Sequence, residues 1–181
     1  MNGRSNMSRI RAGVETEGRE AMSDRAQTLA TRLARVSEEV VTFIRQCPDE
    51  NWRSITKAEQ WPVCSVCRHI ARGFEMHPQV IRLAANGEPM PTGYTWDDIH
   101  RSNVEQARDW AAISKEDVLI PLRRYSGEAA AFIEGLSDEQ LDQRTKSPLD
   151  ALIVSVQEMT EGMIDHARIH LESIRATVKE R

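Results

Sequence analysis

Two histidines, His166 and His170, stand four residues apart in the stretch GMIDHARIHLE, residues 162–172. On a helix these side chains lie about 40° apart and can converge on one point. Imidazole binds zinc, nickel and other late first-row metals, so the pair can supply two ligands of a metal site. The spacing fits equally well one buried histidine and one surface histidine. No glutamate directly follows His166, which excludes the zinc-protease motif.

A third metal ligand has to come from another part of the chain. His69 and His77 lie on the second predicted helix, and His100 lies on the third, where we predict a surface position. His77 falls in the middle of the apolar stripe of its helix, whereas His69 falls at the margin. Pro78 is expected to bend that helix. The residues alone therefore leave the choice between His69 and His77 open.

Hydrophobic periodicity predicts the elements that position these histidines: an all-α fold, a four-helix bundle in a single domain over residues 23–181. We predict a flexible tail over residues 1–22, whose few large apolar residues show no sustained period. Residues 137–148 are predicted to form a polar loop. No stretch alternates with the period of a strand. Each predicted helix is bounded by a capping residue, a proline or a glycine. The first helix lies between Ser23 and Pro48, and the second lies between Trp61-Pro62 and Gly87. A long third helix begins at Thr95 or Asp97 with an offset at Ser114 or Pro121, and the fourth follows Ser147-Pro148.

Composition excludes several classes of protein. The net charge is −4 and the 24 basic residues are spread along the chain, which argues against binding to nucleic acid. No apolar run reaches the roughly 18 residues of a membrane span, and the N-terminus lacks a signal-peptide core. Three cysteines argue against a disulfide framework. We therefore expect a cytoplasmic protein, with Cys64 and Cys67 of the CSVC motif as buried, unreactive thiols.

Two segments carry a family resemblance: WPVCSVCRHIA, residues 61–71, and DHARIHLESIR, residues 165–175. Together they resemble the DinB-like superfamily of four-helix-bundle metalloenzymes, which includes thiol-dependent S-transferases and maleylpyruvate isomerase-like proteins. The similarity extends over about residues 24–178 as an order of helices. Carried over to this chain, the metal ligands of the family fall on His69, His166 and His170. The resemblance thus favours His69 over His77.

The resemblance implies a metal-dependent transferase or isomerase that acts on a small-molecule substrate and forms a homodimer. Its cofactors would be a divalent metal, with zinc and nickel the first choices, and a low-molecular-weight thiol. Three neutral imidazoles leave the metal an open position, as in catalytic sites, where a water on zinc has a pKa of about 7 or where a thiolate can bind.

The sequence does not identify a catalytic or cofactor-binding residue. Glu75, Glu161 and Asp165 are close enough in sequence to the histidines to be candidates for holding the rings. The alternative function is a non-catalytic helical scaffold or a stress-related dimer with structural histidines.

Overall fold

The computed structural model describes residues 23–150 and 152–179, so the predicted tail over residues 1–22 lies outside the described residues. The described part of the chain contains six helices and two short strands. In chain order they are α1 (Asp24–Gln46), α2 (Val63–Ala85), α3 (Trp96–Asp109), α4 (Lys115–Glu134), α5 (Asp138–Asp142), β1 (Arg144–Lys146), β2 (Ile153–Ser155) and α6 (Val156–Lys179).

Four of these helices, α1, α2, α4 and α6, form a four-helix bundle, as predicted. Helices α1 and α2 each pack against both α4 and α6, so α1 and α2 occupy opposite corners. The apolar stripes of the bundle helices meet in one core. On α1 the predicted periodicity is reproduced, with Leu29, Leu33, Val36, Val40 and Ile44 all buried. Burial of these stripes supplies most of the stability of such helices.

The predicted long third helix is instead two helices, α3 and α4, and the break falls at Ser114, one of the two expected offsets. The Ser114 hydroxyl accepts a hydrogen bond from the Asp117 amide at 3.1 Å, which caps α4. Trp52 is buried and donates its indole N–H to the Ile113 carbonyl at 2.9 Å, which ties down the turn. Only α4 joins the bundle, while α3 packs on α2. At the start of α3, Thr95 rather than Asp97 is the cap.

The predictions for residues 137–155 are wrong in two respects. The expected polar loop contains α5 and β1, and β1 pairs with β2 in an antiparallel hairpin. The last helix begins at Val156 rather than directly after Ser147-Pro148, and Leu152 and Ile153, which lie inside the predicted helix, are largely exposed. The reason is a reciprocal cap, in which the Ser155 amide donates to the Glu158 carboxylate at 2.7 Å and the Glu158 amide donates to the Ser155 hydroxyl at 3.1 Å.

The cysteines are buried, as predicted for Cys64 and Cys67. Cys47, Cys64 and Cys67 are free and buried, and burial raises the pKa of each thiol. Within residues 23–150 and 152–179, no helix has the length and apolar character needed to cross a membrane.

Candidate metal centre

Helices α2 and α6 run antiparallel and bring three histidines into contact. The His69 ring lies 4.9 Å from the ring of His166 and 4.9 Å from that of His170, measured between centroids. The two rings on α6 are 4.6 Å apart. Each of the three residues offers one ring nitrogen, and these nitrogens all lie within 4.8 Å of one another. The structure therefore brings together the three histidines that the resemblance selected.

The nearest approach is between His69 and His166, whose Nε2 atoms lie 3.0 Å apart. Zinc binds histidine nitrogen at about 2.0–2.1 Å, so two tetrahedral ligands lie about 3.4 Å from each other. The observed separation is about 0.4 Å shorter than this value and is also that of a hydrogen bond between the two rings. A pair at the 4.8 Å limit of the group would have to approach by about 1.4 Å. Three imidazoles converging at this distance are a donor set that suits zinc or nickel.

The two other histidines have different positions. The His77 ring packs edge-on against the His166 ring, with centroids 5.1 Å apart, and is not part of the group of three. His77 therefore faces the same helix as His69 without supplying a ligand atom to the cluster. His100 is exposed on α3, as predicted, and lies near Trp96.

Burial keeps the imidazoles of His69 and His166 neutral. It lowers the pKa of His69 to about 3 and that of His166 to about 2, and the neighbouring histidines add to the shift because each disfavours a positive charge on the other. His77 also has a lowered pKa, through burial. Neutral imidazoles keep a free lone pair at neutral pH, which is the form that binds a metal.

Glu59 holds His170 from the opposite side of the ring. One carboxylate oxygen lies 2.8 Å from His170 Nδ1, and the other accepts a hydrogen bond from the Ser173 hydroxyl at 2.7 Å. Burial of Glu59 would raise its pKa, but hydrogen bonds from His170, Ser173 and Thr56 outweigh burial and lower the pKa to about 2. Because the carboxylate is ionised, His170 Nδ1 carries the proton and Nε2 is left for the cluster.

The segment between α1 and α2 places Glu59. Ile55 and Pro62 form an isolated antiparallel bridge, and the Thr56 amide donates to the Trp61 carbonyl at 2.9 Å. Gln60 has a φ of 59°, which lets the chain reverse direction directly after Glu59. Trp61 then lies edge-on to His69, with centroids 5.4 Å apart. The turn thus covers the cluster at the start of α2.

Sequence reasoning missed Glu59 and named three other carboxylates. Each of the three has a different partner: Glu75 lies near Arg72, Glu161 accepts from Gln157 and faces Arg32, and Asp165 pairs with Arg168. The only signal for Glu59 was its place just before Trp61-Pro62, at the start of the helix that carries His69.

Two surface grooves, between α1 and α6 and between α2 and α4, are lined by residues other than the three histidines. Among the clustered side chains, His170 is 17% exposed. The cluster thus has some contact with solvent at His170, and we assign neither groove to a substrate.

The similarities to known proteins point to the same family and the same fold. A sequence model of the DinB superfamily matches residues 17–174. The fold resembles that of YfiT from Bacillus subtilis, described as a probable metal-dependent hydrolase with an unusual four-helix bundle topology. The TM-score is 0.72 at 17% identity, over 91% of this chain and 92% of that one. An uncharacterized protein from Clostridium difficile 630 gives a TM-score of 0.68 at 12% identity, over 86% of this chain and 96% of that one. No curated protein matches the sequence.

Proposed function

This chain belongs to the DinB superfamily, and from that premise we propose that it is a metal-dependent enzyme whose divalent ion is held by His69, His166 and His170. The observation that carries the proposal is the convergence of three ring nitrogens within 4.8 Å. The fold likeness to YfiT, itself described as a probable metal-dependent hydrolase, supports hydrolysis as the first reaction class. We propose zinc or nickel as the metal.

The residues of the chain have separable roles in this proposal. The three imidazoles would hold the ion and leave it an open position. When bound, such an ion acts as a Lewis acid that lowers the pKa of a water or thiol at that position. Glu59 holds the His170 ring by its Nδ1 proton and, because Ser173 occupies its second oxygen, positions a ligand rather than exchanging a proton with substrate.

The scaffold alternative explains the cluster less well. His69 Nδ1 is buried and has no hydrogen-bond partner. A buried polar atom without a hydrogen-bond partner lowers the stability of the folded protein, and three adjacent imidazoles pack less favourably in a core than aliphatic side chains do. The cost of the unpartnered Nδ1 atom is the same for both functions, because the His69 atom nearest His166 is Nε2. The convergence of three imidazoles within 4.8 Å is what favours a bound ion over a scaffold.

A thiol-dependent transferase or isomerase is the second candidate, and it rests on the family resemblance. All three cysteines of the chain are buried, so a reacting thiol would have to come from a small molecule. Dependence of turnover on an added low-molecular-weight thiol separates this candidate from a hydrolase, which needs only water. We further propose a homodimer that acts on a small molecule in the cytoplasm, and sedimentation analysis tests the dimer.

Elemental analysis of protein purified without a histidine tag tests the metal site. We expect about one equivalent of divalent metal in the wild type, loss of that metal in His166→Ala, and full retention in the matched control His100→Ala, which alters an exposed histidine on α3. Equal metal content in the two variants, or a wild type that takes up neither Zn²⁺ nor Ni²⁺ when supplied, would contradict the proposal.

A further inference from the structure

Three residues at four-residue steps form a stripe on the face of α2 that meets α6. His69, Gly73 and His77 follow each other at successive turns of the helix. The His166 ring of α6 lies between the two histidine rings of this stripe, 4.9 Å from His69 and 5.1 Å from His77. It therefore lies against α2 at the height of Gly73.

At Gly73 the His166 ring occupies the space that a side chain would need. A Cβ atom built on Gly73 would lie 3.1 Å from both Cε1 and Nδ1 of His166, and 3.7 Å from Cε1 of His77. A separation of 3.1 Å is tighter than ordinary carbon contacts, so the ring would have to move by a few tenths of an ångström. By contrast, a Cβ atom on Gly127 or Gly162 would meet no atom within 4 Å.

Glycine at position 73 makes helix α2 less stable than alanine would. Glycine in a helix interior is less stable than alanine, because it loses more backbone freedom on folding. Helical propensity thus offers no reason for glycine at this position. The close approach of His166 does offer one, since a bare backbone lets the imidazole sit one turn from His69.

We propose that Gly73 is a positioning residue for the metal centre. Together with His77 it forms the His166 recess, the space beside the Gly73 backbone that is bounded by the His77 ring. The recess fixes the plane of the His166 ring so that its Nε2 atom lies 3.0 Å from that of His69. The inference rests on the proposed function in one respect: it takes His166 to be a metal ligand.

The test is Gly73→Ala compared with Gly127→Ala, the same change in α4 where the space is open. We expect Gly73→Ala to bind Zn²⁺ about 10- to 100-fold more weakly than the wild type in competition with a chelator, as for other changes that disturb ligand orientation. Gly127→Ala should bind like the wild type. Co²⁺ absorption should change in intensity for Gly73→Ala alone, because that signal reports ligand geometry. Unchanged Zn²⁺ affinity and Co²⁺ absorption in folded Gly73→Ala would overturn the inference.

A second readout does not depend on metal. In metal-free protein with ¹⁵N-labelled histidine, the imidazole signals of His166 should move in Gly73→Ala and stay in place in Gly127→Ala. If the wild type binds no metal, the proposed function fails. Movement of the His166 signals in Gly73→Ala would still support the recess in that case, and unchanged signals would refute it. If Gly73→Ala does not fold, His77→Ala tests the same recess, because this change widens it. We expect His77→Ala to lose less Zn²⁺ affinity than Gly73→Ala. A Zn²⁺ affinity equal to that of the wild type would count against the recess.

Discussion

The Nδ1 atom of His170 lies 2.8 Å from a carboxylate oxygen of Glu59, a residue 111 positions earlier in the chain. The contact joins the turn before α2 to the last helix of the bundle. It fixes both the tautomer of His170 and the direction of its Nε2 atom. A residue outside the bundle helices therefore orients one of the three proposed ligands.

Glu59→Gln should weaken metal binding about 10- to 100-fold, the usual effect of removing a carboxylate that orients a histidine ligand. The amide keeps the size of the side chain but loses the charge that holds the Nδ1 proton. Titration with Zn²⁺ measures the effect. Glu50→Gln, an exposed carboxylate in the same segment, is the matched control and should bind like the wild type. Equal affinity of the two variants would exclude the positioning role of Glu59.

Metal-free protein should lose stability as the pH falls below about 6.5. The pKa of His69 is about 3 and that of His166 about 2 when folded, below the ordinary value of 6.5, so the unfolded chain binds more protons in this range. As the pH falls, proton uptake by each of these groups in the unfolded chain lowers the free energy of unfolding by up to about 1.4 kcal/mol per pH unit. The loss continues until the pH reaches the pKa of the group in the folded state.

Glu59 adds a loss below about pH 4.5, since its folded pKa of about 2 lies below its ordinary value. Urea unfolding with a chelator at pH 7, 6 and 5 measures the histidine part of this dependence. His166→Gln should flatten the slope, and a wild-type stability that does not vary from pH 7 to pH 5 would show that these imidazoles are not held neutral.

Added Zn²⁺ should raise the melting temperature of the wild type. A ligand that binds only the folded state stabilises it by about 2.7 kcal/mol at 100 times its Kd. The shift should be absent in His69→Ala and His170→Ala and retained in His77→Gln, because the His77 ring lies outside the group of ligand atoms. Differential scanning fluorimetry with and without metal gives the comparison. Loss of the whole shift in His77→Gln would show that the ligand set is assigned wrongly.

The three cysteines should not react with a thiol reagent while the protein is folded. Each is buried and has a raised pKa, so little thiolate is present and access is blocked. Titration with a chromogenic disulfide should give no rapid reaction in native protein and three equivalents after unfolding. Rapid modification of native protein would argue instead for an accessible C-x-x-C motif at Cys64 and Cys67.

Much of the bundle could be predicted from the sequence because helix formation depends on local patterns. The apolar stripes identified α1, α2 and α6, and a capping pattern placed α4 in the second half of a predicted long third helix. The four-residue spacing placed His166 and His170 on one side of the last helix. Boundaries were less certain where short-range caps compete with periodicity. Leu152 and Ile153 continue the apolar pattern of the last helix, yet the reciprocal cap of Ser155 and Glu158 starts that helix at Val156.

The sequence by itself thus determined most of the bundle helices and the pairing of His166 with His170, since both follow from the 3.6-residue period. Tertiary structure decided which groups surround that pair. His77 has the more central place on its apolar stripe, but the antiparallel packing of α2 on α6 brings His69 to within 3.0 Å of His166. The contributions of Glu59 and Gly73 depend on contacts between segments about 100 residues apart, which no local pattern encodes.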